Sequence, residues 1–463
     1  MSRSALVVLT ALGLPATALA QASPLAAEPQ FQVNAYTENV QFRPALGVAD
    51  DGSFLVAWRS FGAEGAPNLR NRIVAIRIDA QGQPAGPELT LDQREACAFP
   101  HIECRRDDPS LAVFPTGGFV AVWGFWDVDP SLVHIDAIRG RRFASDGAPL
   151  GPEFVVSPLS IYGVLRLAVS PAVSADSTGG FVVAWAQDEP PYDGAPEIFA
   201  RRYDAAGDPL GPEFQVNTYT PNEQVRPRIA QAPGGGFTIV WQSRGSAGGD
   251  SSGMSIQARR FDATGVALGP EFQVNTFAAG NQLRSGIGFD ADDDFVIVWE
   301  SWGSAGGDAS EGSVQARLFA SDGTPVGPEL QVNATTEGEQ GFPAVAVEPD
   351  GHFVVAWWSV GGVPPPSELD PWWYGGIVRA RRFDPLGVPL GPELQVNQRG
   401  VATRLTPALA AVPGGKYVVA WGSDVGSDGD ELDSIEARRL TGDWIFLDGF
   451  ETTDPSRWSL TAP

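Results

Sequence analysis

The chain is poor in the residues from which most enzymes build reactive centres. It has three histidines, His101, His134 and His352, two cysteines, and one lysine among 31 basic residues, the rest being arginine. No histidine stands in a metal-ligand or triad-like spacing, which argues against zinc chemistry and against Ser-His-Asp hydrolysis. There is no C-x-x-C, so redox chemistry has no sequence support. Cys97 and Cys104, in CAFPHIEC, are too few for a metal site without further ligands, and in an oxidising compartment they are expected to form a local disulfide. Positive charge is also scarce: the formal net charge is −25. A field of that sign repels phosphate backbones and anionic lipid, so neither nucleic acid nor a membrane surface is an expected partner. Past residue 20 no apolar run is long enough to span a bilayer.

Residues 1–20, MSRSALVVLTALGLPATALA, combine a basic start at Arg3, a short apolar run and small residues at Ala18 and Ala20. That is the pattern of a cleavable secretory signal; the rival, an uncleaved anchor, is opposed by Pro15, which interrupts a run already short for a span. The expected organisation is a signal at 1–20, a linker at 21–30, one repeat domain at 31–440 and a tail at 441–463.

The repeat is plain. FVVAW or a near relative ends at Trp58, Trp123, Trp185, Trp241, Trp299, Trp357 and Trp421, at intervals of 56 to 65 residues. Each unit runs from a short apolar segment often led by proline (Pro44, Pro171, Pro343), through a Gly or Asp turn, the FVVAW run, a loop, a segment such as IQARRFD and a second Gly turn, to GPEFQVN. These are four strands by pattern. In 179–185 both faces of the strand are apolar, whereas in 213–217 Phe214 and Val216 share one face and Glu213, Gln215 and Asn217 are expected on a wet one. A core strand inside and a half-exposed strand outside, seven times over, describes an all-β, seven-bladed β-propeller of four-stranded antiparallel blades.

One count decides how the ring shuts. Only six copies of the fourth strand lie between the seven units, and the seventh, FQVN, stands at 31–34. Pairing of this N-terminal strand beside RRL at 438–440 would close the ring and leave no open edge; an open solenoid would strand the segment.

Length variation marks one face. From the residue before the third turn (Ile78, Phe143, Tyr203, Phe261, Phe319, Phe383) to the Gly of GPE the spacing is always eight. From the core Trp to the arginine slot it is 18 in four units but 16, 24 and 17 in units three, six and seven. Irregular loops on a rigid scaffold commonly carry binding chemistry, so the face bearing 92–108, 124–136, 187–197 and 360–376 is the expected functional one. Aromatic planes beside acids there suit sugar rings: Trp126 with Asp127 and Asp129, Tyr192, Trp302, Trp358, and Trp372, Trp373 and Tyr374. The same aromatics could equally pack loops onto the scaffold.

Recurring pairs on the third strand (Arg141 and Arg142, Arg201 and Arg202, Arg259 and Arg260, Arg381 and Arg382, Arg438 and Arg439) are expected to hold the Glu of GPE or turn aspartates. DADDDF at 290–295 aligns with ordinary turns and reads as one. Asp424, Asp428, Asp430 and Asp433 on the variable face could gather Ca2+, without EF-hand spacing; no other cofactor is implied.

Taken together, G-P-E-F-Q-V-N, Q-V-R-P, G-G-F-V-V-A-W and I-x-A-R-R-F-D resemble repeats of large secreted bacterial proteins, including calcium-dependent adhesins and haemolysin-type proteins. The G-G-x-G-x-D repeats of those relatives are absent here. The tail at 446–459 resembles a D-G-F-E…W-S ending of exported proteins, with Thr453 in place of Gly, and implies a sorting or docking segment. The resemblance and the loops together lead us to expect a secreted, periplasmic or cell-surface monomer. Its expected role is binding or adhesion, with a glycan or surface protein as partner, and no residue is assigned a catalytic part. A secreted polysaccharide hydrolase or lyase using carboxylates, and a purely structural envelope protein, are the alternatives.

Overall fold

Alternation in the FVVAW runs makes each of them a strand that must be covered on both sides, and the computed structural model shows how this is met. It describes residues 25–37, 40–61, 71–93, 105–128, 134–157, 160–162, 169–188, 195–246, 248–304, 306–308, 311–360, 376–398, 407–423 and 434–442. These form seven antiparallel blades. Blade 4 is typical: Gln224–Gln231, Phe237–Arg244, Met254–Phe261 and Phe272–Gln273, paired in that order from the axis outward. Blade 2 adds a fifth strand, Ser160–Tyr162, beside His134–Phe143. The first strand of every blade touches the first strand of the next, and that of blade 7 touches that of blade 1, so the seven form a closed inner ring. Among the described residues there is no helix, and none that could cross a membrane.

All seven core tryptophans are fully buried between blades. In blades 1, 4, 5 and 6 the indole N–H donates to a buried glutamine at the head of the inner strand, as Trp299 does to Gln282 at 3.0 Å. This satisfies the one polar atom that burial would otherwise strand. Phenylalanines at the starts of second strands stack on those ending third strands, with Phe295 and Phe319 4.9 Å apart.

Closure occurs at the N terminus. Phe31–Gln32 pairs with Ser434–Thr441, Phe31 opposite Ala437 and Gln32 opposite Glu436. The supposed linker takes part too, with Ala26 opposite Thr441 and Ala27 opposite Leu440, so the domain starts before residue 31.

The outer strand departs from the expected pattern. Only two residues pair regularly, and Asn217 is buried rather than wet. The chain turns away after Val216, and Asn217 Oδ1 replaces the missing carbonyl by accepting from the Ile198 amide at 2.8 Å. Asn275, Asn333, Asn397 and Asn34 repeat the bond to Ile256, Val314, Val378 and Ile435. Asn275→Ala should therefore orphan a buried amide and cost about 1–3 kcal/mol, seen as a lower urea midpoint with an unchanged slope.

The arginine pairs bind something other than expected. Their first members reach backbone carbonyls of the preceding blade, as Arg259 does to Val216 at 2.8 Å and Arg381 to Val332 at 3.0 Å. Second members clamp turn carbonyls of the following blade, as Arg202 does at Ala263 and Thr264, and Arg439 closes the circle on Ala80. The GPE glutamates are already engaged: Glu271 accepts from the amides of Thr218 and Tyr219. Direct ion pairs in this belt include Arg382 with Glu348 and Arg439 with Glu28, while GPE and turn carboxylates act on it at longer range, Glu393 on Arg381 and Asp322 on Arg260. At 290–295 the turn is as expected, with Asp290 Oδ1 accepting from the amides of Asp292 and Asp294.

Candidate functional site at the mouth of the axis

The inner strands begin on the variable face, and near that end they share a defect. Their pairing slips between Phe42 and Ala45, Asp107 and Ser110, Val169 and Ala172, Val225 and Arg228, Leu283 and Gly286, and Gly341 and Ala344. At the slip the backbone turns left-handed at a non-glycine residue: Arg43 (φ 58°), Ser170 (57°), Arg226 (54°), Arg284 (54°) and Phe342 (54°). Proline usually follows, as Pro44, Pro171, Pro227 and Pro343 do, and its missing N–H suits a place where the ladder is interrupted. Left-handed backbone at a bulky residue costs about 1–3 kcal/mol, so a ring of such positions is held by its surroundings and re-aims the side chains.

Those side chains are arginine in blades 1, 4 and 5. Two residues on, the blades carry Ala45, Ser110, Ala172, Arg228, Gly286, Ala344 and Ala408. Six are small, and the seventh is an arginine. Arg226 and Arg228 are both exposed to solvent on the innermost strand of blade 4. Its pKa is pushed down to about 10, first by desolvation and then by the like charges of Arg226 and Arg43. Arg226 is lowered by desolvation and by Arg284, with Glu300 opposing. All remain cations at neutral pH. Among the described residues neither Arg226 nor Arg228 has an ion pair, and the only hydrogen bond from Arg228 is to the Pro227 carbonyl at 3.1 Å.

A second group adjoins them. Glu300, wholly buried at the end of the second strand of blade 5, receives Arg284 Nη1 at 2.6 Å on both oxygens, Trp302 Nε1 at 3.0 Å and the Phe342 amide at 3.2 Å. The Arg284 guanidinium also lies over the Phe342 ring, 3.8 Å from its centroid. Trp302 is thereby fixed with 49% of its surface in solvent. In blade 1 the position of Glu300 is taken by Arg59, which lies between Phe42 and Phe61, at 4.7 and 4.8 Å from the ring centroids.

Of the aromatic candidates, then, Trp302 is exposed at this mouth. Trp358 is not: it is fully buried and meets Phe342 edge-on, which corrects its assignment as a ligand contact. It directly follows the core Trp357, so strand alternation turns it onto the next blade. Trp126 and Asp127 end the second strand of blade 2, their backbone opposite Asp136 and Ile135. Asp129, Tyr192, Trp372, Trp373, Tyr374, the aspartates 424, 428, 430 and 433, and Cys97 and Cys104 lie outside the described residues. Among the described residues no three His, Cys, Asp or Glu side chains gather as metal ligands. Arg43, Arg226, Arg228, Arg284 and Glu300 were not singled out from the sequence. The arginine in V-R-P-R that breaks a column of small residues was the signal for Arg228.

No protein-family profile matches the chain, and no curated protein matches it significantly. Solved structures do share its shape. Polysaccharide lyase Uly1 superposes with a TM-score of 0.50 at 9% identity, over 90% of this chain and 100% of that one. A protein of unknown function from Dyadobacter fermentans gives 0.49 at 12%, over 90% and 99%. An α-L-arabinanase from Penicillium chrysogenum, complexed with arabinobiose, gives 0.47 at 13%, over 72% and 94%. The likeness to the lyase shows the propeller fold alone.

Proposed function

We propose that this chain is an exported binding module that takes a carbohydrate on its variable face, at the mouth of the axis. The observation that carries this is Trp302: a half-exposed indole held rigid through its N–H by a buried carboxylate that also holds the Arg284 guanidinium. A fixed aromatic plane stacks on the C–H face of a sugar without losing rotamer freedom, and adjacent donors meet hydroxyl or acidic oxygens. The signal-like residues 1–20 support delivery to a compartment where glycans are met.

The test is a glycan array probed with the purified mature protein, with and without chelator. Retention on a subset of glycans without product formation is expected, and Trp302→Ala should weaken it roughly five- to thirtyfold. Loss of retention with chelator would place calcium in the site. Release of shortened oligosaccharides would identify an enzyme, and retention on no glycan would end the carbohydrate reading.

A further inference from the structure

Resting on that reading, we infer that the glycan is acidic, and that Arg226 and Arg228, with the field of Arg43 from blade 1, receive a carboxylate or sulfate group of the sugar chain at the axis.

Three independent features point there. First, the composition runs the other way: acids outnumber bases 56 to 31, yet Arg43, Arg226 and Arg284 stand at the same bulge of the inner strand in blades 1, 4 and 5, close enough for their charges to act on one another. Arg284 has Glu300, and other arginines have defined acceptors such as the belt carbonyls or, for Arg72, Asp92. Among the described residues Arg226 has no ion pair, and the Arg228 guanidinium makes one hydrogen bond, to the Pro227 carbonyl, with its other donors open to a ligand. Second, the position of Arg228 is small in all six other blades, so packing of the inner ring does not call for a long side chain there. Third, Arg226 is held in left-handed backbone at a bulge, an arrangement that persists against its own cost and fixes where the side chain leaves the strand.

A planar guanidinium matches two oxygens of a carboxylate or sulfate, and two such forks close together suit one anionic group. Water around them is confined by the ring, which strengthens each contact over one on an open surface. The overall negative field repels polyanions from the rest of the molecule, so capture is expected at this one place, one site per chain. Trp302, held by Glu300, whose charge reaches Arg226, would lie against a neighbouring sugar ring of the same ligand.

The experiment compares retention on polygalacturonate and alginate (carboxylated), on dextran sulfate, and on neutral xylan and laminarin. The proteins are the wild type, Arg226→Gln, Arg228→Gln and Arg244→Gln. The last removes the same charge from an exposed pair with Glu223 and serves as the control; circular dichroism melts confirm folding of each variant. Expected is retention on one of the acidic classes, weakened roughly ten- to hundredfold by either axial substitution and little changed by Arg244→Gln. Which acidic class is held tells carboxylate from sulfate. Retention of neutral glycans with no loss in the axial variants would overturn the acidic inference while leaving carbohydrate binding standing. Acidic retention that ignores Arg226 and Arg228, or falls equally with Arg244→Gln, would overturn the site. If all five polymers fail and the wider array also shows no retention, the carbohydrate reading itself falls, and this inference with it.

Discussion

A chain that begins at Ala35 should lose the closed ring and most of its cooperative stability. The segment it lacks supplies Val33, buried in the cluster that joins blade 7 to blade 1 with Trp58, Ile76, Val418 and Ala437. It also supplies Asn34, whose Oδ1 satisfies the buried Ile435 amide at 2.7 Å, and Glu28, which accepts from Arg439 Nε at 2.7 Å. Burial of one valine contributes about 1.5–3 kcal/mol and an orphaned buried amide costs about 1–3 kcal/mol. Their sum reaches the lower end of the roughly 5–15 kcal/mol that holds typical domains folded. The loss is not only energetic, because the freed side of Ser434–Thr441 becomes an unpaired edge, open to another chain. Urea unfolding followed by tryptophan fluorescence, with light scattering, checks this. A large fall in midpoint with self-association is expected, and a peptide spanning 25–37 added in trans should partly restore the monomer. An unchanged midpoint would mean that the seam is held elsewhere.

That closure could be read from the sequence because it rests on counting: seven core tryptophans, six internal fourth strands, and a displaced FQVN. Period-2 alternation and a strict repeat survive without any knowledge of distances. The site was far less legible. Arg43, Arg226 and Arg284 belong to blades 1, 4 and 5, and only the ring brings their charges together. The bulge was hidden because P-A-L-G-V-A looks like a whole strand, while the strand starts three residues earlier, at Gln41, and slips at Arg43 and Pro44. The arginine belt was misread for a related reason. A guanidinium accepts any well-placed oxygen as partner, and which oxygen lies near depends on how blades are juxtaposed. Trp302 and Trp358 show the limit most clearly. Both lie shortly after a core tryptophan, but Trp358 remains within its strand and packs, whereas Trp302 lies just beyond Ser301, where the strand ends.

Glu300→Gln should separate the charge of the axial site from its shape, because it is expected to lower stability and raise affinity for acidic glycans at the same time. The carboxylate is wholly buried and holds three donors: Arg284, the Trp302 indole and the Phe342 amide. Glutamine keeps the volume but has one acceptor oxygen in place of two, and its NH2 group must face one of those donors. Breaking a fully buried ion pair costs about 3–5 kcal/mol. Here the cost should fall below that range, since the Arg284 side chain retains 26% exposure and water can take over part of its solvation. What remains is Arg284 as a further cation at the axis, no longer neutralised by a carboxylate at that position, strengthening the field on any anion held by Arg226 and Arg228. Retention on the acidic polymer should therefore rise several-fold in Glu300→Gln, where Arg226→Gln lowers it, while the urea midpoint falls. Arg284→Gln should weaken retention or leave it unchanged. If Glu300→Gln and Arg226→Gln both weaken binding by similar factors, the group acts by packing the mouth in shape, and net positive charge at the axis is not what the ligand reads.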